Sequence, residues 1–216
     1  MKTETVALLS RLLSYSDVKE PDETASRLLS RFGSLSSLLS SDPAELTEAG
    51  LSPRAALLLS LAAAIPARAA EDVIPGKTVF DKSDLLAAFF VRRFLGASVE
   101  RVCLLLLDAE YRPLALKKIA EGAVNSAAVE LRSVTEAAVL YDASFAVLAH
   151  NHPRGKAAPS RDDELTTSLV SDALSSVGVK LIEHYVVAGN AAVPVLRTAT
   201  GLPSAMPDGF YERSLP

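Results

Sequence analysis

One stretch constrains this chain more than any other: Ala149-His150-Asn151-His152-Pro153-Arg154-Gly155, continued as Lys156-Ala157-Ala158-Pro159-Ser160-Arg161-Asp162-Asp163. It holds two of the three histidines in the protein, one residue apart. The apolar run Ser144 to Ala149 leads into it and is short enough for a buried strand. At a period of two, the side chains of His150 and His152 leave that strand on the same face. Pro153 and Gly155 then break the strand and turn the chain. Pro159-Ser160 reads as a helix start, which puts Asp163 in the first helical turn. Strand end, turn and helix start thus aim two imidazoles and one carboxylate at a single point. Such an N/N/O set suits a zinc ion, with a fourth position left for water.

Each of these groups also has an ordinary use. Histidines on a strand serve as polar groups at a sheet edge. Ser160 followed three residues later by Asp163 resembles a capping box, and Asp162 and Glu164 suit the positive end of a helix dipole. None of these uses explains why all the groups fall within one turn. The metal site does.

His150-x-His152-Pro153 followed by Ser160-x-x-Asp163 resembles the JAMM (MPN-type) metalloprotease motif, and the longer wording around it is similar to the bacterial RadC-like branch. Arg154 stands where that branch usually has a small serine, and Lys156 where an acidic residue is common. The resemblance implies one Zn2+ per chain bound by His150, His152 and Asp163, with Ser160 supporting an oxyanion or positioning the water. It implies a mixed α/β sheet flanked by helices, of the JAMM/MPN, cytidine-deaminase-like kind. It also implies hydrolysis of a peptide or isopeptide bond by a zinc-activated water.

Such chemistry needs a carboxylate to accept and return the proton. In the JAMM pattern this is a glutamate just before the first central strand, and Glu100 ahead of Val102-Cys103-Leu104-Leu105 matches; Glu110 and Glu121 are its competitors. His184, after Glu183, falls outside the implied ligand set and is expected to support or pack. Leu131-Arg132-Ser133 departs from the Pro-Arg-Glu usual in the family.

Composition bounds the alternatives. The 216 residues are 49% hydrophobic and 22% charged, enough apolar content for a packed core. A net charge of −4 gives no overall electrostatic case for nucleic-acid binding. The single cysteine, Cys103, lies inside an apolar run and excludes a disulfide framework or a cysteine-based zinc finger. Met1-Lys2-Thr3-Glu4 has an acid early and no long apolar run behind it, and no stretch reaches the roughly 18 apolar residues of a membrane span. A cytoplasmic protein without a membrane partner is expected.

Along the chain, the spacing predicts helices over Val6–Leu13, from Asp22 to Phe32 with Gly33 as terminator, over Leu35–Leu39, from Pro43 to about Ala49, and from Pro53 to Ala64. Residues 1–70 resemble the helix-hairpin-helix domain at the start of RadC-like proteins. There a Gly-hydrophobic-Gly turn lets backbone N–H groups approach a DNA phosphate. The corresponding turn here is Gly50-Leu51-Ser52 with no lysine, so DNA is weakly supported against a protein-interaction or structural role.

A linker is expected over 71–81, opening as early as Pro66, a metal-binding domain over 82–204, and a tail over 205–216. Within the metal-binding domain, a helix runs from Lys82 to Phe94, strands cover Arg101–Leu107 and Leu114–Ile119, and Gly122 and Asn125 mark a loop. A helix over Val129–Leu140, the metal-site strand and a helix over Ser160–Val177 follow. A strand through Val179–Ala188 comes next, with Val193–Leu196 as its partner. Two functions from different classes remain: a zinc hydrolase acting on a protein or peptide, and a non-catalytic DNA-repair-associated or adaptor protein with a structural metal. Either could form homo-oligomers.

Overall fold

The structure, a computed structural model, describes residues 2–71, 79–122 and 129–196. Helices α1 (Lys2–Leu13), α2 (Pro21–Phe32), α3 (Leu35–Leu39), α4 (Pro43–Glu48) and α5 (Pro53–Glu71) come first. Each starts or stops where local chemistry dictates. Gly33, at φ 78°, ends α2 in a conformation that costs glycine little. Ser34 caps α3 by accepting from Ser37 N–H, and Asp42 with Glu45 forms a capping box on α4. The apolar faces of these helices meet in one cluster around Leu9, Leu28, Leu38, Leu46 and Leu59.

Helix α5 runs past Pro66 to Glu71, where a linker is expected from the proline. A proline removes one intrahelical bond but does not forbid continuation, and Ala67-Arg68-Ala69-Ala70-Glu71 has strong helix propensity. Phe80, placed in the linker by sequence, is buried in the sheet core, and its N–H donates to Tyr111 O at 2.9 Å. The calls on Pro75-Gly76, Asn125 and the tail lie outside the described residues.

Helix α6 (Ser83–Phe94) leads to strands β1 (Arg101–Leu107) and β2 (Pro113–Glu121), then α7 (Leu131–Leu140), β3 (Phe145–Asn151), α8 (Arg161–Ser175), β4 (Lys180–Ala188) and β5 (Ala191–Pro194). The sheet order is β2-β1-β3-β4-β5, with β3 and β4 parallel and the other neighbours antiparallel. It is a mixed sheet covered on both faces. Cys103, Leu105, Leu107, Val147 and Ala149 face α6; Val102, Leu104, Leu106, Ala146 and Leu148 face α7 and α8. This alternation is the period-two consequence of strand geometry. It explains why β1 reads as a continuous apolar run, since both faces are buried.

Strand β4 breaks the alternation once. Against β3 its register shifts between the pairs Ala146–Leu181 and Val147–Glu183, so Ile182 is an extra residue. Leu181 faces α8, whereas Ile182, Tyr185 and Val187 face α6. A bulge of this kind re-aims every side chain beyond it. His184 is thereby paired with Leu148 on the α8 face. Beside the bulge, the Glu183 carboxylate accepts from its neighbour's N–H, that of His184, at 2.8 Å and from Leu196 N–H at 2.9 Å.

Burial raises the Glu183 pKa to about 7 despite those backbone N–H donors. The fold therefore favours the protonated carboxyl. The stabilisation this gives is complete below the ordinary value of 4.5 and is lost as pH rises through about 7. Chemical denaturation of wild type and Glu183→Gln across this range is expected to show wild type losing stability relative to the variant as pH rises. A constant difference would show that Glu183 does not titrate there.

Candidate metal centre

The site is built where β3 ends and α8 begins. His150 is the penultimate residue of β3 and follows the parity of Ala146 and Leu148, so it projects to the α8 face. His152 lies just beyond the strand, its N–H held by Val187 O of β4 at 2.8 Å. The two Nε2 atoms are 3.0 Å apart. Asp163 is the third residue of α8 and offers Oδ1 to His150 Nε2 at 3.1 Å. One ligand atom from each of the three residues lies within 4.8 Å of the others.

Both uses foreseen for Asp163 coexist. Its Oδ2 accepts from Ser160 N–H and from the Ser160 hydroxyl, each at 2.7 Å, while Ser160 Oγ accepts from Asp163 N–H at 3.2 Å. This capping box fixes the carboxylate so that Oδ1 faces the imidazoles. Burial pushes the Asp163 carboxyl upward, but the adjacent His150 imidazole and the hydrogen bonds from Ser160 outweigh it and hold it well below the usual carboxylate range. It is ionised at any ordinary pH.

The donor set fits zinc. Ligands at tetrahedral zinc distances stand roughly 3.3 Å apart, close to the 3.0 and 3.1 Å seen here. His152 Nδ1 is 3.0 Å from Lys156 O. A carbonyl can only accept, so Nδ1 carries the proton and Nε2 is left as the donor atom for a metal.

A cavity of about 240 Å³ opens over these groups, lined among others by Glu100, Val102, Ser160, Thr166 and His184. The sequence-predicted site residues are therefore brought together. The competitors of Glu100 are not. Glu110 lies in the turn at the far end of β1 and pairs with Arg112 at 2.6 Å. Glu121 pairs with Arg101 and Lys118 and does not line the cavity.

Asn151, the middle residue of His-x-His, has a function that the motif alone does not announce. Its Oδ1 accepts from Arg101 N–H at 2.8 Å and its Nδ2 donates to Val99 O at 3.0 Å. These two bonds bracket Glu100, whose own carbonyl accepts from Gly122 N–H at 2.9 Å. The backbone on both sides of Glu100 is thus tied to the histidine strand. Thr167, whose hydroxyl lies 2.6 Å from His184 Nδ1, also carried no sequence signal.

The family model for the RadC-like JAB domain matches residues 80–199. This chain belongs to that family. Its relatives include a UPF0758 protein of Methylibium petroleiphilum, 36% identical over 172 residues that cover 79% of this chain and 78% of the relative. Others are a UPF0758 protein of Leptothrix cholodnii, 32% identical with the same coverage, and one of Bordetella parapertussis, 34% identical over 77% of this chain and 74% of its own. The RadC-like JAB domain relates the chain to the JAMM group, and all five strands fall inside the matched segment. Among the described residues, no helix is long and apolar enough to cross a membrane.

Asn151 is buried, and replacing it would strand polar backbone atoms at Val99 and Arg101. Asn151→Ala is expected to lower unfolding free energy by about 1–3 kcal/mol in chemical denaturation, the cost of unpaired buried groups. An unchanged midpoint would show that the bracket contributes nothing to stability.

Proposed function

We propose that this protein is a zinc-dependent hydrolase that cleaves a peptide or isopeptide bond in a protein or peptide substrate. The observation that carries this is the meeting of His150, His152 and Asp163 in one cavity that also takes in Glu100 and Ser160. A zinc ion held by the three ligands supplies a Lewis acid and lowers the pKa of a water.

Glu100 is the residue to accept the nucleophile's proton and return it to the leaving nitrogen, since it lines the cavity without belonging to the ligand cluster. Ser160 Oγ is the hydroxyl to meet the developing oxyanion or to position the water. To donate to substrate it must release Asp163 Oδ2, which keeps the Ser160 N–H as donor, so the capping contact survives.

The rival, a DNA-associated or adaptor protein with a structural metal, rests on the helix-hairpin-helix likeness of the first helices. Two observations weigh against phosphate binding by the turn 50–52. Gly50 N–H and Leu51 N–H are already given to Thr47 O and Leu46 O at 2.9 and 3.2 Å. The Ser52 hydroxyl donates to Asp17 Oδ1 at 2.5 Å, which sets a carboxylate beside the turn. We favour a packing or protein-contact role for these helices.

Elemental analysis is expected to find one zinc per chain in wild type and in Glu100→Gln, and little in His152→Ala. On peptide and isopeptide substrates, Glu100→Gln should lose chelator-sensitive hydrolysis by about 100-fold or more. Loss of zinc from Glu100→Gln would make that residue a ligand, and full activity would place the proton carrier elsewhere. A zinc-loaded wild type that cleaves none of the substrates would favour the rival.

A further inference from the structure

His184 and Thr167 lie beneath the ligands and take no part in the chemistry above. Both are buried, at 1% and 2% exposure. Thr167 Oγ1 sits 2.5 Å from Asp163 O and 2.6 Å from His184 Nδ1; His184 Nε2 sits 2.9 Å from His150 Nδ1. The direction of every proton in this chain follows from one end. Asp163 O is a carbonyl and can only accept, so the single hydroxyl proton of Thr167 goes to it. Thr167 Oγ1 must then accept, and His184 Nδ1 carries a proton. A ring at 1% exposure whose nitrogens meet only a hydroxyl and another imidazole has no carboxylate to hold a charge, so it is neutral and its Nε2 is an acceptor. His150 Nδ1 must donate to it, and His150 Nε2 is left bare.

We propose that Thr167 and His184 are positioning residues that fix the proton of His150 on Nδ1 and so present Nε2 as a metal ligand. The relay starts at the main chain of one ligand, Asp163, and ends on the ring of another, His150. It therefore couples the first turn of α8 to the end of β3 through β4. A neutral imidazole oriented by a hydrogen bond on its remote nitrogen is a better and more rigid donor. This rests on the metal site proposed above, but the proton positions belong to the protein alone and can be read without metal.

The test is a long-range 1H–15N correlation spectrum of the full-length, 15N-histidine-labelled protein at about pH 8, where exposed imidazoles are neutral. With three histidines in the chain, single substitutions assign every ring. In metal-free wild type, His150 and His184 are both expected to carry the proton on Nδ1. Thr167→Val keeps the shape but cannot accept. It should shift His184 towards the Nε2–H tautomer, disturb His150, and weaken zinc in a chelator competition by about 10- to 100-fold. Thr167→Ser should restore both readouts. A wild-type spectrum with the His184 proton on Nε2 overturns the proposal, as does a Thr167→Val protein with unchanged spectrum and zinc affinity. If Thr167→Val does not fold, the wild-type spectrum decides alone. Wild type that binds no zinc but shows both Nδ1–H tautomers sinks the proposed function and leaves the relay standing.

Discussion

Three lone-pair-bearing atoms, two of them about 3 Å from the third, repel unless positive charge lies between them. His150 Nε2, His152 Nε2 and Asp163 Oδ1 are in that position, and each is held by other bonds on its far side. Lys156 O holds His152, Ser160 holds Asp163, and His184 holds His150. No ring can turn away without breaking a hydrogen bond. Low local dielectric makes the crowding costly without a cation and strengthens attraction with one. The remaining architecture serves to keep these backs fixed. The sheet sets the parity of His150, the capping box sets the turn of α8 that carries Asp163, and the β4 bulge sets the face of His184.

What was legible in the sequence follows the range of each interaction. The ligand trio depends on strand period, a turn and a helix cap, all within a span of fourteen residues from His150 to Asp163, so local rules place it. Most helix starts were legible for the same reason, because serine, aspartate and proline act on the first turn alone. The extension of α5 past Pro66 was not, since a proline signals a probable end and the helix formers after it decide the matter. The β4 bulge was hidden because it is a property of register between strands, which leaves no mark on the composition of Lys180–Ala188. Thr167 was hidden because its partner is 17 positions away in the chain. The roles assigned to Glu100 and Ser160 come from family likeness; what geometry adds is that both residues reach the same cavity.

The two parts of the chain also touch near the candidate metal centre. Arg154 extends from the turn after His152 to Glu45 at 2.7 Å and towards Asp42 at 3.8 Å. Both acids belong to the capping box of α4. The pair is exposed and contributes at most about 1 kcal/mol to stability. Its interest is positional, because the same short turn supplies the carbonyl of Lys156 that holds the His152 ring.

Asn151 has a consequence for how such a protein can diversify. One tripeptide, His150-Asn151-His152, sends two side chains to the ligand cluster and a third to the backbone on either side of Glu100. The interval between the candidate ligands and Glu100 is thereby written into adjacent strands and owes nothing to the length of any loop. Surface loops that touch neither the ligand cluster nor these bonds are free to lengthen, shorten or change charge under selection for a new substrate. The ruler that spaces the chemistry stays the same.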